Sequence, residues 1–97
     1  MVRPSLVLRS LRLTLFTKSD CGLCVKAKES VQNFRKSNSS TQYNEIDIMK
    51  TGNEKWHDAY VFDVPVLHLE NSSEGSRIIK LMHRFSKEDI ESKIMEL

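Results

Sequence analysis

Leu11, Leu13 and Leu15 alternate with Arg12, Thr14 and Phe16, a period of two that predicts a strand with one face turned to a core. From about Gly22 the spacing lengthens. Cys24, Ala27, Val31 and Phe34 then recur at intervals that place them on one face of a helix, with Lys26, Lys28, Glu29, Gln32 and Arg35 on the other. The polar run KSNSST (36–41) ends that helix, and QYNEIDI (42–48) reads as a second strand. Thr51 and Glu54 form a Thr-x-x-Glu pattern that predicts a capping box and a short helix to about Tyr60, with Trp56 and Tyr60 packed on one side of it. PVLHLE (65–70) is a third strand, with Pro65 at the position where a missing backbone donor does least harm. A turn containing Gly75 leads into a fourth strand, RIIKLM (77–82), which completes an antiparallel hairpin. Ser86 and Asp89 make another capping box, followed by Ile90, Ile94 and Leu97 along the last helix.

The order β-α-β-α-β-β-α predicts an α/β fold. A right-handed βαβ unit sets the first two strands parallel. The hairpin adds an antiparallel pair, giving a four-stranded mixed sheet flanked by three helices on its two faces. Ninety-seven residues fit one domain, 1–97, with 1–10 as a tail or a targeting remnant. The region before Asp20 holds Arg3, Arg9, Arg12 and Lys18 and no acid, a composition compatible with the end of a mitochondrial targeting segment; a short tail before the first strand is the favoured reading.

Composition narrows the function. With 39% hydrophobic and 29% charged residues the chain is an ordinary globule. A net charge of +2, with basic residues scattered and not interleaved with aromatics, does not point to nucleic acid. No apolar run approaches the ~20 residues a membrane span needs. Arg9 and Arg12 interrupt the early apolar stretch and argue against a secretory signal, so the Asn-x-Ser sequons at Asn38 and Asn71 carry little weight. Two cysteines make no disulfide framework, which suits a reducing compartment, cytoplasmic or mitochondrial.

Those cysteines, Cys21 and Cys24, fall where the strand pattern gives way to the helical one. A helix N-terminus presents unpaired N–H groups and partial positive charge. A thiolate there is stabilised, and its pKa drops from about 8.5 into the range ~3.5–7.5. Cys21, directly before the helix, is the expected nucleophile. Cys24, a turn inside on the apolar face, is the expected resolving thiol. Lys18 assists the thiolate and Asp20 opposes it, while Gly22 and Leu23 fill the gap without a rigid proline. A CxxC can also be half of a zinc site that needs two further ligands from among His57, His68 and His83, but those histidines have no paired spacing.

LTLFTKSDCGLC (13–24), the helix behind it and AYVFDVPVLHL (59–69) together resemble the glutaredoxin-like branch of the thioredoxin superfamily, over about residues 11–97. The likeness is greatest to small glutaredoxin-like proteins with a CGLC active site. It implies a thioredoxin fold, a cis Val64–Pro65 bond beside Cys21, and Val64 backbone groups free to pair with a substrate peptide or glutathione. Leu15 and Asp20 stand where thioredoxins carry a buried acid and a tryptophan, which favours the glutaredoxin branch. Lys18 matches a lysine that contacts glutathione in that branch.

Two stretches depart from the pattern. Asp63 replaces the threonine of Thr-Val-Pro, and MHRF (82–85) replaces a Gly-Gly segment, so side chains crowd the approach of a γ-glutamyl carboxylate. Ser86 amides and the Arg84 charge remain to receive it. The implied activity is thiol–disulfide exchange by a monomer that reduces protein or glutathione mixed disulfides. Cys21 and Cys24 are catalytic, and Lys18, Gly22, Leu23, Val64, Pro65, Arg84 and Ser86 bind substrate or glutathione. No tightly bound cofactor or metal is expected; glutathione is the implied co-substrate. Two other readings stay open: an iron–sulfur carrier sharing a cluster between two chains through Cys21 and glutathione, and a binding module with little turnover.

Overall fold

A computed structural model describes residues 11–71 and 77–97; the amino-terminal segment 1–10 and the turn around Gly75 lie outside them. The elements are β1 (Leu11–Thr17), α1 (Gly22–Ser37), β2 (Gln42–Asp47), α2 (Glu54–Tyr60), β3 (Val66–Asn71), β4 (Ile78–Met82) and α3 (Lys87–Ile94). They form one four-stranded sheet in the order β2-β1-β3-β4. β1 runs parallel to β2 and antiparallel to β3, and β4 is antiparallel to β3. The βαβ unit and the hairpin are as the hydrophobic pattern implied, and the arrangement is the thioredoxin fold.

One face of the sheet is aliphatic. Leu11, Leu13 and Leu15 of β1 and Leu67 and Leu69 of β3 pack against Ala27, Val31 and Phe34 of α1 and Ile90 and Ile94 of α3. Each fully buried side chain of this kind contributes roughly 1.5–3 kcal/mol. The buried stripe of α1 is Cys24, Ala27, Val31 and Phe34, the stripe read from the sequence. Ser86 caps α3 with its hydroxyl on the Asp89 N–H, and the Asp89 carboxylate accepts from the Ser86 N–H in return.

The opposite face carries Phe16, Trp56 and Tyr60. Phe16, Val66, Ile48, Tyr60, Val64 and Cys24 form a second cluster, with Cys21, Trp56, Ile46 and Val61 against it. Phe16 lies opposite Val66 across the β1–β3 ladder, which puts both ends of the chemistry-bearing segments on this side. Trp56 and Tyr60 stack with centroids 6.0 Å apart, as their spacing implied.

The start of α2 differs from expectation. Thr51 does not cap it: the N-cap is Asn53, and its side chain makes no capping bond. Asn53 Nδ2 donates instead to the Asp47 carbonyl (2.8 Å), and the Glu54 carboxylate accepts from the Gly52 N–H (3.1 Å). Gly52 at φ 100 turns the chain between Thr51 and Asn53, a conformation glycine adopts without a Cβ clash, so Thr51 is left two residues too early.

Candidate functional site

The strand-to-helix corner at 17–24 is built by the end of β1 and the first turn of α1. Asp20 takes a left-handed conformation (φ 57), one of the few non-glycine residues for which this is tolerable, and delivers Cys21 to the helix mouth. Cys21 is the N-cap residue of α1, with extended backbone angles. Its Sγ accepts from the Cys24 N–H (3.1 Å), the bond that a serine or aspartate oxygen makes at ordinary caps. Its carbonyl accepts from the N–H groups of Cys24 (3.1 Å) and Val25 (3.2 Å). The first turn of α1 contains no acidic residue to offset the dipole.

Cys21 and Cys24 form a disulfide across 5.2 Å between their Cα atoms. Cys21 is partly exposed, whereas Cys24 is only 3% exposed and sits in the aromatic cluster. The pair is therefore asymmetric, with one sulfur at the surface and the other behind it.

Of the residues expected at the site, Lys18, Gly22 and the two cysteines line one cleft and Leu23, Arg84 and Ser86 line another, while Val64 and Pro65 line neither of them. A cleft of about 530 Å³ contains both cysteines with Lys18, Asp20, Gly22 and Lys28. A second, of about 350 Å³, is lined by Leu23, Lys26, His83, Arg84, Phe85 and Ser86. Ser30 Oγ donates to the Phe85 carbonyl (2.9 Å), which ties the loop after β4 to α1. Gly22 has open space where a Cβ would lie, so a side chain can be carried there.

Val64–Pro65 is a cis peptide bond, as the family resemblance implied. Val64 shares the cluster of Cys24, against which Cys21 packs. The expectation of a free Val64 backbone is corrected on the donor side: the Val64 N–H donates to the Tyr60 carbonyl (3.0 Å), because the chain leaves α2 in a continued tight turn. The Pro65 carbonyl accepts from the His83 N–H (2.8 Å). His83 itself has φ 66, and its Nε2 lies 3.6 Å from Asp63 Oδ1.

Two features were not read from the sequence. His68 of β3 is buried with its ring 4.6 Å from Phe16, and its Nε2 shares a 2.8 Å hydrogen bond with the Tyr60 hydroxyl. Burial, with the nearby Lys80 charge adding to it, pushes its pKa down to about 4, so it is neutral at pH 7. A histidine within an apolar strand, eight residues after a tyrosine, was the available signal. The contact between Asp63 and His83 has no periodic signature at all. Among the described residues no group of three or more His, Cys, Asp or Glu side chains converges to hold a metal ion, and no helix is long and apolar enough to cross a membrane.

Comparison with known proteins matches residues 12–95 to the model of the glutaredoxin-like domain family (DUF836). Solved structures agree on the fold. A structural-genomics target, XcR50 from X. campestris, superposes with a TM-score of 0.66 at 22% identity, over 88% of this chain and 97% of that one. Oxidised thioredoxin O2 from Arabidopsis thaliana gives 0.69 at 16%, over 97% and 84%. Thioredoxin-2 of the malaria parasite gives 0.73 at 14%, over 91% and 84%. The chain belongs to the glutaredoxin-like domain family.

Proposed function

We propose that this glutaredoxin-like chain reduces protein disulfides and glutathione mixed disulfides, with Cys21 as nucleophile and Cys24 as resolving cysteine. A CxxC pair at disulfide distance on a thioredoxin fold is a thiol–disulfide redox centre. In the reduced protein the Cys21 thiolate attacks one sulfur of the substrate. A Cys21–substrate S–S bond forms, the substrate S–S bond breaks, and the departing thiolate takes a proton from solvent. Cys24 then gives up its proton and attacks Cys21 Sγ. The Cys21–Cys24 bond forms, the second substrate thiolate leaves and is protonated, and the protein is oxidised by two electrons. Two electrons from glutathione or a reductase restore the dithiol.

The single observation that carries this reading is the placement of Cys21 Sγ as the cap of α1. The N–H that it accepts and the helix dipole both favour an anion there, while buried Cys24 is held within reach for the second step. Lys18 in the same cleft adds a cation. Arg84 supplies the charge a glutathione carboxylate would use, in the neighbouring cleft; the Ser86 N–H, expected to be free for that carboxylate, is instead taken by Asp89 in the capping box of α3.

Reduction of insulin and of a glutathionylated peptide, with dithiothreitol as terminal reductant, tests the assignment. Cys21→Ser is expected to abolish turnover on both. Cys24→Ser is expected to trap a mixed disulfide detectable by mass spectrometry. Wild-type-like turnover in Cys21→Ser would refute the reading.

A further inference from the structure

We propose that the open edge of β4 is a docking site for an extended, acidic segment of another protein, which joins the sheet as an added strand. The inference does not depend on the disulfide-exchange reading above.

The first observation is the backbone. β4 is the last strand in the order β2-β1-β3-β4 and, among the described residues, has a strand neighbour only on its β3 side. Met82 lies opposite Val66, and the His83 N–H donates to the Pro65 carbonyl at 2.8 Å. His83 and Pro65 are therefore a hydrogen-bonded position of the antiparallel ladder, and such positions alternate along it. Leu81 and Ile79 then turn their N–H and C=O groups towards β3, while Ile78, Lys80 and Met82 turn theirs outward. An edge of this kind is a template for another strand.

The second observation is the side chains beside those groups. Ile79 and Leu81 pack against the aliphatic core. Lys80 Nζ lies over the Tyr60 ring, 5.5 Å from its centroid, so Ile78, Lys80 and Met82 share the α2 side of the sheet. There Ile78 is 50% exposed and Met82 38%. An added strand would cover both, with one of its own side chains opposite Lys80.

The third observation is charge. The stretch 77–84, RIIKLMHR, contains no carboxylate. Glu70, opposite Ile78 on β3, already faces Arg12 at 3.9 Å, and Asp63 faces His83 at 3.6 Å. A second copy joined through β4 at its midpoint would set Lys80 opposite its own counterpart, and like charges so placed destabilise a ladder. The β2 edge of a second copy fits no better, because its Glu45 is held by Lys28 (3.1 Å) and by the Tyr43 hydroxyl (2.9 Å). The occupant that fits carries an acid opposite Lys80 and apolar side chains opposite Ile78 and Met82.

The test titrates the full chain, isotopically labelled, with a blocked heptapeptide, Glu-Val-Thr-Glu-Thr-Val-Glu, and follows amide signals and hydrogen exchange by NMR. The Ile78, Lys80 and Met82 amides should become protected. A counterpart with lysine in place of every glutamate should bind about tenfold more weakly, and Lys80→Glu should weaken the acidic peptide about fivefold. Ile78→Pro removes an outward donor at the first residue of an edge strand, where proline is tolerated, and should weaken binding with the fold intact. No change at β4 on adding the acidic peptide, equal binding of the two peptides, or unchanged affinity in both variants would overturn the proposal. Slow exchange of the Ile78, Lys80 and Met82 amides in the free protein would overturn it too, by showing the edge already covered by the chain itself or by a second copy.

Discussion

The two faces of the sheet differ in what they bury. Beneath α1 and α3 lie leucines, isoleucines, valine, alanine and phenylalanine, with Tyr43 the titratable side chain packed against them. Beneath α2 lie Phe16, Tyr60, Val64 and Cys24, joined by His68 and flanked by Cys21 and Trp56. The first face needs only volume and apolar area, which many side chains supply. The second needs particular donors and acceptors. The difference places stability on one side of the sheet and chemistry, with its polar support, on the other.

That contrast can be broken by substitution. The largest effect is expected at Phe34, fully buried on the aliphatic face, where Phe34→Ala should cost about 3–5 kcal/mol by chemical denaturation. The reactivity of Cys21 in the molecules that remain folded should be unchanged. A smaller cost, about 1–3 kcal/mol, is expected for Tyr60→Phe, which leaves buried His68 Nε2 without its partner.

The titration of His68 sharpens the comparison further. Its folded pKa of about 4 lies below the ordinary value of 6.5, so the unfolded chain binds the proton first as pH falls. The stability His68 contributes is therefore fully present above pH 6.5 and is lost as pH drops towards 4. The stability difference between wild type and His68→Gln should shrink over that window, and thermal melts at pH 7 and pH 4.5 read it directly. A difference that stays constant would show that His68 is not held neutral.

The smallest effect is expected at Gly22, the first residue of α1, where a Cβ meets open space. Proline is well suited to this position, since its amide is unpaired in any helix. Gly22→Pro should raise stability by about 0.4–1 kcal/mol through the unfolded chain, measured by thermal denaturation.

The aliphatic face was the more legible in the sequence. The leucine alternation of β1 and the Ala27, Val31, Phe34 stripe are local patterns, and burial follows them directly. Ser86 and Asp89 likewise carry their capping box within one turn. The two cysteines were legible as chemistry because a helix mouth has a defined electrostatic character. Thr51 misled because a cap depends on backbone angles, and the Gly52 turn set them for Asn53 instead. The bond from Val64 to Tyr60, the His68–Tyr60 pair and the Asp63–His83 contact depend on where separate segments meet, which no periodicity records.

The most direct measurement is ultraviolet titration of the Cys21 thiolate in the reduced protein, with Cys24→Ser isolating its signal. A sulfur capping α1 beside Lys18 should ionise well below the free-thiol value of about 8.5, within the range ~3.5–7.5. A midpoint at or above about 8.5 would contradict the claim that the helix mouth activates Cys21.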